Sequence, residues 1–423
     1  MHSLEPRYSR YITALFLIVV LGLLTGLACN GSPATPIPTI QPSPTPEGGG
    51  PASNRGVFDD RVVFGQSAAF SGPAQELGLN MQLGILSAFH EVNQTGGVSG
   101  RQLELEFADD AYEPEAAIAN TLQLINENEV FALIGAVGTP TSRSATPVAE
   151  DAGVPYMTPF TGAEFLRDPN WEYVMNLRSS YYQETEEMVA RLTEDLGVTR
   201  IAVMYQDDSF GRAGYDGVLL ALARRLLEPV SIGLYTRNTT AVKAGLLDLQ
   251  QGNPEAVIVI GAYEPVAALI AWARLIDMDS IFMTVSFVGS NALAEDLASK
   301  RVDVSAGVYV TQVVPFPTDD SLPVTAAYLN ALDAYSPGAV PGFVSFEGYL
   351  AGRLAIEGLK GCGSDVTRAC FLDSLRSRDI VDIDGFELRY GESDNQGSDS
   401  VFLTRIGANY GYHPVDNLQE VLP

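Results

Sequence analysis

Histidine, cysteine, tryptophan and basic residues are all scarce in this 423-residue chain: three His, three Cys, two Trp, and 25 Lys and Arg against 52 Asp and Glu. Each shortage excludes something. A formal charge of −27 opposes binding to phosphate backbones or to anionic lipid surfaces, so a nucleic-acid partner is not expected. With only His2, His90 and His413, no histidine neighbours a cysteine pair, and no metal site is expected. A Ser-His-acid triad would have to use His90 or His413, and neither sits at the end of a strand-like run. G-x-S-x-G, P-loop, G-x-G-x-x-G and H-E-x-x-H patterns are absent as well, so no enzyme chemistry and no cofactor is indicated. What is present is 46% hydrophobic residues with ample Gly and Pro, enough for a large core in one or two domains.

The first 28 residues have the composition of an export signal. Arg7 and Arg10 precede an apolar run from Tyr11 to Ala28 that ends in Gly26-Leu27-Ala28-Cys29. Uncleaved, that run is also long enough to span a bilayer. The small residues before Cys29 resemble the bacterial lipobox, although Gly26 stands where that pattern has Leu; the resemblance implies cleavage before Cys29 and lipidation of its thiol. Residues 29–56 follow as a tether. Seven of the 25 prolines fall between Asn30 and Asn54, among Thr, Ser and Gly, a composition that favours extended polyproline conformation over a packed core. With Cys29 assigned to an anchor, Cys362 and Cys370 remain, with seven residues between them, and an oxidising compartment favours a local disulfide between them. So short a loop gives a modest stabilisation, about 2–3 kcal/mol.

From Val62 onward, short apolar runs rich in β-branched residues alternate with amphipathic segments. Strands are expected at Val62–Phe70, Gln102–Ala108, Val130–Val137, Val154–Pro159, Val174–Arg178, Ile201–Tyr205, Ser231–Tyr235, Ala256–Tyr263, Ile281–Phe287 and Gly307–Val314. Several are continuously apolar, as strands buried on both faces of a parallel sheet are. Helices are expected at Met81–Asn93, Glu115–Asn126, Tyr182–Leu196, Arg212–Leu227 and Pro265–Leu275, later at Leu322–Tyr335 and Val344–Lys360, before a last pair of strands at Gly385–Tyr390 and Val401–Ile406. The alternation means βαβ units. It occurs twice, before and after about Arg178, so the fold class is α/β with two lobes of like construction: 57–178 with 313–395, and 179–312 with 396–423. Ligands of such proteins lie in the cleft between lobes.

Ligands of open α/β sheets sit beyond the carboxyl ends of the strands. Here those ends share small backbones, hydroxyls and single aromatic rings: Ser67 to Pro73 with Ser71, Gly138-Thr139-Pro140-Thr141, and Thr158-Pro159-Phe160-Thr161-Gly162. Thr139 suits an N-cap and Pro140 the first helical position, so a helix starts there; either Thr139 merely caps it, or the free amides serve a carboxylate. In the second half, Arg178 to Gln183 with Tyr181, Asp207-Asp208-Ser209-Phe210, Tyr263-Glu264 and Ser286-Phe287 close later strands, and their rings could clamp a flat or aliphatic ligand. Asp109, Asp110, Asp207 and Asp208 are read as helix caps.

The segments Gly65 to Pro73, Asp109-Asp110, Leu133 to Val137, Thr158 to Gly162 and Asp208 to Gly211 resemble, in order, those of the type I periplasmic binding proteins, in particular the leucine/isoleucine/valine-binding branch that serves ABC transporters. The resemblance runs from about Val62 to Ile406. It implies two Rossmann-like lobes joined by three crossovers, a small-molecule ligand, partner permease subunits with a cytoplasmic ATPase, and a place in the periplasm or at the outer face of the cytoplasmic membrane. It also implies that Thr139 meets a ligand carboxylate, that Phe160 and Thr161 form a contact loop, and that Tyr181, Phe210 and Tyr263 contact from the far lobe. The acid that receives an α-amino group in that branch would fall near Ser286, which is uncharged; Glu264 could replace it, and Arg178 could clamp a second acidic group. A sensory receptor with the same lobes is the alternative; an α/β hydrolase is the least supported.

Overall fold

The computed structural model describes residues 54–421; the expected signal segment, Cys29 and nearly all of the tether lie outside them. Two sheets carry the fold. The first is wholly parallel, with strands β1 (Arg61–Ala68), β2 (Gln102–Asp109), β3 (Ala132–Ile134), β4 (Tyr156–Met157) and β5 (Val174–Met175) in the order β2-β1-β3-β4-β5. The second contains β6 (Ile201–Gln206), β7 (Ile232–Tyr235), β8 (Ala256–Ile260), β9 (Ile281–Thr284) and β10 (Val308–Gln312), all parallel, extended antiparallel by β13 (Phe402–Ile406) and β14 (Tyr412–Pro414). The last expected strands do not pair with each other: β12 (Phe386–Leu388) forms a separate hairpin with β11 (Val381–Ile383), and β13 joins β10.

The helices follow their strands as βαβ crossovers demand: α1 (Gln75–Gln94), α2 (Pro114–Asn126), α3 (Thr139–Asp151), α4 (Tyr181–Ala190), α5 (Ser209–Ala223), α6 (Lys243–Gln251), α7 (Tyr263–Leu275) and α8 (Ser290–Ser299). Then α9 (Pro323–Tyr335) and α10 (Phe343–Cys362) return to pack beside α1, and α11 (Arg368–Arg376) packs on α10. Helices α1 and α10 meet backbone to backbone. A Cβ on Gly84 would lie 1.9 Å from the Ser345 carbonyl oxygen, and one on Gly348 would lie 2.2 Å from that of Met81, so only glycine permits the approach. Cys362 and Cys370 are joined, tying the end of α10 to α11.

Three elements are shorter than their apolar runs suggest. β3 stops where Gly135 takes φ +66°, β4 where Thr158 takes φ +49°, and the two meet again at a single bridge, Val137 to Phe160. β5 ends at Met175 because Asn176 leaves the sheet to bond with residues 395–397. The helix expected to run to Leu196 loosens after Ala190 into a π-turn, Arg191–Asp195.

The chain crosses between the sheets after β5, after β10 and before β13, and these crossings are bound together. Asn176 N–H donates to the Asn395 carbonyl (2.7 Å) and Ser179 Oγ to that of Ser400 (2.9 Å). Arg167 adds bonds to the carbonyls of Arg178 and Ser179 and to Gln396 Oε1. At the centre lies Arg178, fully buried, with Nη2 3.2 Å from Glu184 of α4 and Nη1 3.6 Å from Glu347 of α10. Glu184 also accepts from Ser286 N–H, Ser286 Oγ and Thr311 Oγ1. Two carboxylates thus share one guanidinium, and Glu184 holds the closer contact and three further donors. Burial, only partly offset by Arg178, pushes Glu347 up to about 7. Asp110, buried under β2, is pushed up to about 6 by desolvation.

A carboxyl raised in the folded state binds its proton more tightly there than in the unfolded chain. Its stabilisation is complete below about pH 4 and is lost as pH rises through the folded value. Glu347→Gln, a neutral copy of the protonated form, is therefore expected to flatten the decline in Tm between about pH 5 and pH 8 and to raise Tm at pH 8. A thermal melt series over that range checks it; a slope equal to wild type would remove Glu347 as its source.

Candidate functional site

The strand ends of the two sheets face each other, and each loop is set by local bonds. Asp109 accepts from Phe70 N–H (2.8 Å) and Ser71 N–H (3.2 Å), fixing the β1–α1 loop. It also accepts from Ala111 N–H, and Asp110 from Tyr112 N–H, both at 2.9 Å, which holds the β2–α2 loop with Ala111 and Tyr112 at φ +48° and +65°. The two aspartates therefore brace loops; α2 starts later, with Glu113 before Pro114. Asp208 does cap its helix, accepting from Phe210 N–H (2.9 Å) and Gly211 N–H (3.3 Å).

Helix α3 starts at Thr139 with Gly138, not Thr139, as its cap. The expected capping role fails because the Thr139 hydroxyl is used sideways, 2.7 Å from Thr161 Oγ1, which in turn lies 3.2 Å from the Tyr181 hydroxyl. Gly138 has φ +103°, and a Cβ there would lie 2.1 Å from Tyr112 Cε2. The glycine lets this ring close over the turn.

Behind these hydroxyls the two lobes meet through aromatic rings. Phe287 is the hub: its ring centre lies 4.5 Å from Phe210, 5.5 Å from Phe160 and 6.0 Å from Tyr112. Tyr181 packs on Phe210 (5.5 Å), and the Arg178 guanidinium lies over Phe160 (4.9 Å). All five rings are buried. Beside them a groove of about 410 Å³ opens between the lobes. Thr139, Arg143 and Phe165 line one wall, and Tyr182, Ser209 and Arg212 the other. The Arg143 guanidinium stacks over Phe165 at 5.1 Å. Glu164, Asp208 and Asp216 add negative charge to the same surface. The groove therefore offers both signs of charge, a hydroxyl and two aromatic faces, a lining suited to a small amphipathic or zwitterionic solute.

Of the site residues expected from sequence, Gly138, Thr139, Phe160, Thr161, Tyr181 and Phe210 come together at this junction. Others are engaged elsewhere. Ser71 is exposed, with its hydroxyl donated to Asp109. Thr141 donates backward to the carbonyls of Val137 and Gly138, just before its own helix, and faces the interior of the first lobe. Tyr263 bridges the lobes at a separate point, its hydroxyl 3.5 Å from the Glu76 N–H. Glu264 does not face the groove: burial and Asp296 raise its carboxyl, and its charged neighbours are Asp296 and Lys300 at α8. Arg178 is not available to clamp a ligand acid, because Glu184 and Glu347 already take it. Ser286 does meet a carboxylate, that of Glu184. Phe287, expected from its strand end to touch a ligand, is instead the buried hub of the interlobe rings, and Glu184 and Tyr112 were not singled out from sequence. For Glu184 a signal exists: it lies on the stripe Tyr181, Glu184, Thr185, Met188 that α4 buries, and an acid on the apolar face of a helix requires internal partners.

Two α/β lobes, three bonded crossings and a polar groove between facing strand ends define a type I periplasmic binding protein, which binds solutes and is not an enzyme. The chain belongs to the periplasmic binding protein family, whose model matches residues 61–411. It is similar to the leucine-, isoleucine-, valine-, threonine-, and alanine-binding protein of Pseudomonas aeruginosa, 22% identical over 311 residues, 72% of this chain and 79% of that one. It is also similar to the leucine-specific-binding protein of Salmonella typhimurium, 23% identical over 283 residues, 67% and 74% of the two chains. Among solved structures, a possible leucine/isoleucine/valine-binding protein from Rhodopirellula baltica superposes with a TM-score of 0.81 at 37% identity, covering 88% of this chain and all of that one.

Gly138→Ala places a methyl group into Tyr112 on a left-handed backbone, and it is expected to cost about 2–4 kcal/mol of stability. Denaturant unfolding measures this; a midpoint equal to wild type would show that Tyr112 gives way freely.

Proposed function

We propose that this protein is the extracytoplasmic receptor of an ABC transporter, closing around a small organic ligand such as an amino acid or a related amide or carboxylate and delivering it to membrane permease subunits driven by a cytoplasmic ATPase. The observation that carries the reading is the groove lined from both lobes, since a ligand touching both walls selects the closed form through contacts made only there. The names of the relatives add support for an aliphatic amino acid. In this reading a ligand carboxylate meets Thr139 and the first amides of α3, with Arg143 beside it, and Phe165 and Tyr182 flank the ligand body. An α-amino group would turn to Glu164 or Asp216, because the carboxylate at Ser286 is already committed to Arg178 and Thr311. Export through the N-terminal segment and attachment at Cys29 would hold the receptor at the outer face of the cytoplasmic membrane, with the proline-rich stretch as spacer.

A thermal-shift titration of the purified chain with leucine, isoleucine, valine, threonine and alanine, beside short non-amino carboxylates and amides, tests this. A ligand of the folded state raises Tm with concentration. A shift with an amino acid supports the reading, a shift only with non-amino acids moves the ligand class, and no shift in either group would overturn it. For whichever compound binds, Thr139→Val is expected to weaken affinity by about 1–3 kcal/mol, since it leaves a ligand oxygen underpaired. Unchanged affinity would remove Thr139 from the site.

A further inference from the structure

One interlobe contact lies outside the groove and makes no use of its residues except at one corner. The β2–α2 loop of the first lobe presents Glu113, and the turn after β7 in the second presents Arg237 and Asn238. Glu113 Oε2 accepts from Arg237 Nη2 at 2.6 Å, and its Oε1 accepts from Asn238 Nδ2 at 2.8 Å. Asn238 Nδ2 also lies 3.4 Å from the Ala111 carbonyl, and the Arg237 guanidinium sits 5.9 Å from the Tyr112 ring centre. Both loops are also shaped from within their own lobes. Asp109 and Asp110 hold the first, and Asn238 itself takes φ +58° in the second.

We infer that Glu113, Arg237 and Asn238 form a latch that sets how tightly this receptor holds its ligand, though none of the three lines the ligand groove. The bonds join two lobes and exist only when those lobes are together, so each adds to the closed form alone. Apparent affinity scales with the closed fraction, and a contact remote from the ligand therefore changes it. The latch reaches the groove through Asp208: Arg237 Nη1 lies 3.4 Å from Asp208 Oδ2, and Asp208 caps the helix whose first residue, Ser209, lines the second wall. Exposure fixes the scale of the effect. The side chains of Arg237 and Glu113 are 22% and 45% exposed. A pair this wet tunes an equilibrium and does not lock it, as a receptor that must release its ligand requires.

The test needs no ligand, so its outcome is independent of the transport reading. Hydrogen–deuterium exchange of the full chain is compared with Glu113→Ala and, separately, Asn238→Ala. The Glu113 side chain makes no capping bond to α2, so the helix start survives the change. The expected result for Glu113→Ala is exchange about three- to tenfold faster at amides on both sides of the junction, including distant peptides at Glu76, which contacts Tyr263, and at Asn291, whose Nδ2 donates to the Pro341 carbonyl. Asn238→Ala should shift the same peptides by less. Strands β1, β6 and β8 should keep wild-type protection. High salt should speed the same peptides in the wild-type chain and add little in Glu113→Ala. Acceleration confined to residues 109–113 and 236–242, or none, would overturn the proposal. Loss of protection in the strand cores of Glu113→Ala would report unfolding, and the Asn238→Ala pattern then decides by the same criterion.

Discussion

The guanidinium of Arg178 is the constraint on which the rest of the architecture depends. It lies at the first crossing between lobes, fully buried, and its two carboxylate partners come from opposite sides: Glu184 from α4 of the second lobe, Glu347 from α10 packed on the first. Removing Arg178 would leave the buried Glu184 carboxylate uncompensated, a cost of about 3–5 kcal/mol. Glu184 spreads the constraint further, because its oxygens also receive Ser286 after β9 and Thr311 on β10. The ends of two central strands and two crossings thus depend on one ion cluster. A joint built in this way is a defined pivot, and lobe movement about it is a rotation more than a loosening.

The pivot also decides what is left for recognition. Ser286 stands where the resemblance places an amino-group acceptor, and the structure does put a carboxylate there, but that carboxylate is spent on Arg178 and Thr311. Arg178 is spent likewise. The space between the facing strand ends is occupied by the Phe287, Phe210, Phe160 and Tyr112 rings, which bind the lobes by area and not by charge. The groove beside them keeps a polar lining, with Thr139, Arg143 and Arg212 on its walls. Hinge and groove draw on adjacent residues of the same loops: Phe160 lies under Arg178 while Thr161 bonds to Thr139. The groove wall and the lobe joint are coupled by that adjacency.

The fold was legible in the sequence because its signals are local. Apolar runs such as Ala256–Ile260, buried at every position, announce a central parallel strand, and the alternation with helices dictates the crossovers. The shortening of β3 and β4 was less visible, since it turns on backbone angles at Gly135 and Thr158 inside otherwise strand-like runs. The site was half legible. Thr139, Thr161, Tyr181 and Phe210 could be expected at the lobe junction, where they meet, because helix starts at strand ends have a recognisable composition. Thr141 and Ser71 share that composition, yet their hydroxyls turn to carbonyls just before the helix and to Asp109, and composition does not reveal which way a hydroxyl turns. Glu184 and Glu347 were missed for a different reason. Glu184 lies only six residues from Arg178 and on a buried helix stripe, but its bonds to Ser286 and Thr311 and the Arg178–Glu347 pair span 102, 127 and 169 residues, and no local pattern carries pairings so distant.

The scarcity of positive charge acquires a meaning at the lobe junction. A chain of net charge −27 carries a self-repulsion that two acidic lobes feel most when they approach. Among only 25 Lys and Arg, Arg143 and Arg212 stand on the groove walls, Arg178 at the pivot and Arg237 between Asp208 and Glu113. Arg178 and Arg237 each lie within 4 Å of a carboxylate at the junction, inside the roughly 8 Å over which charges act in physiological salt. Long-range repulsion therefore favours separated lobes, and short-range pairs favour joined ones. At physiological salt the first is already largely screened, so added salt acts mainly on the part-exposed pairs, and the balance is set at a handful of arginines and is open to adjustment by a single added ligand charge.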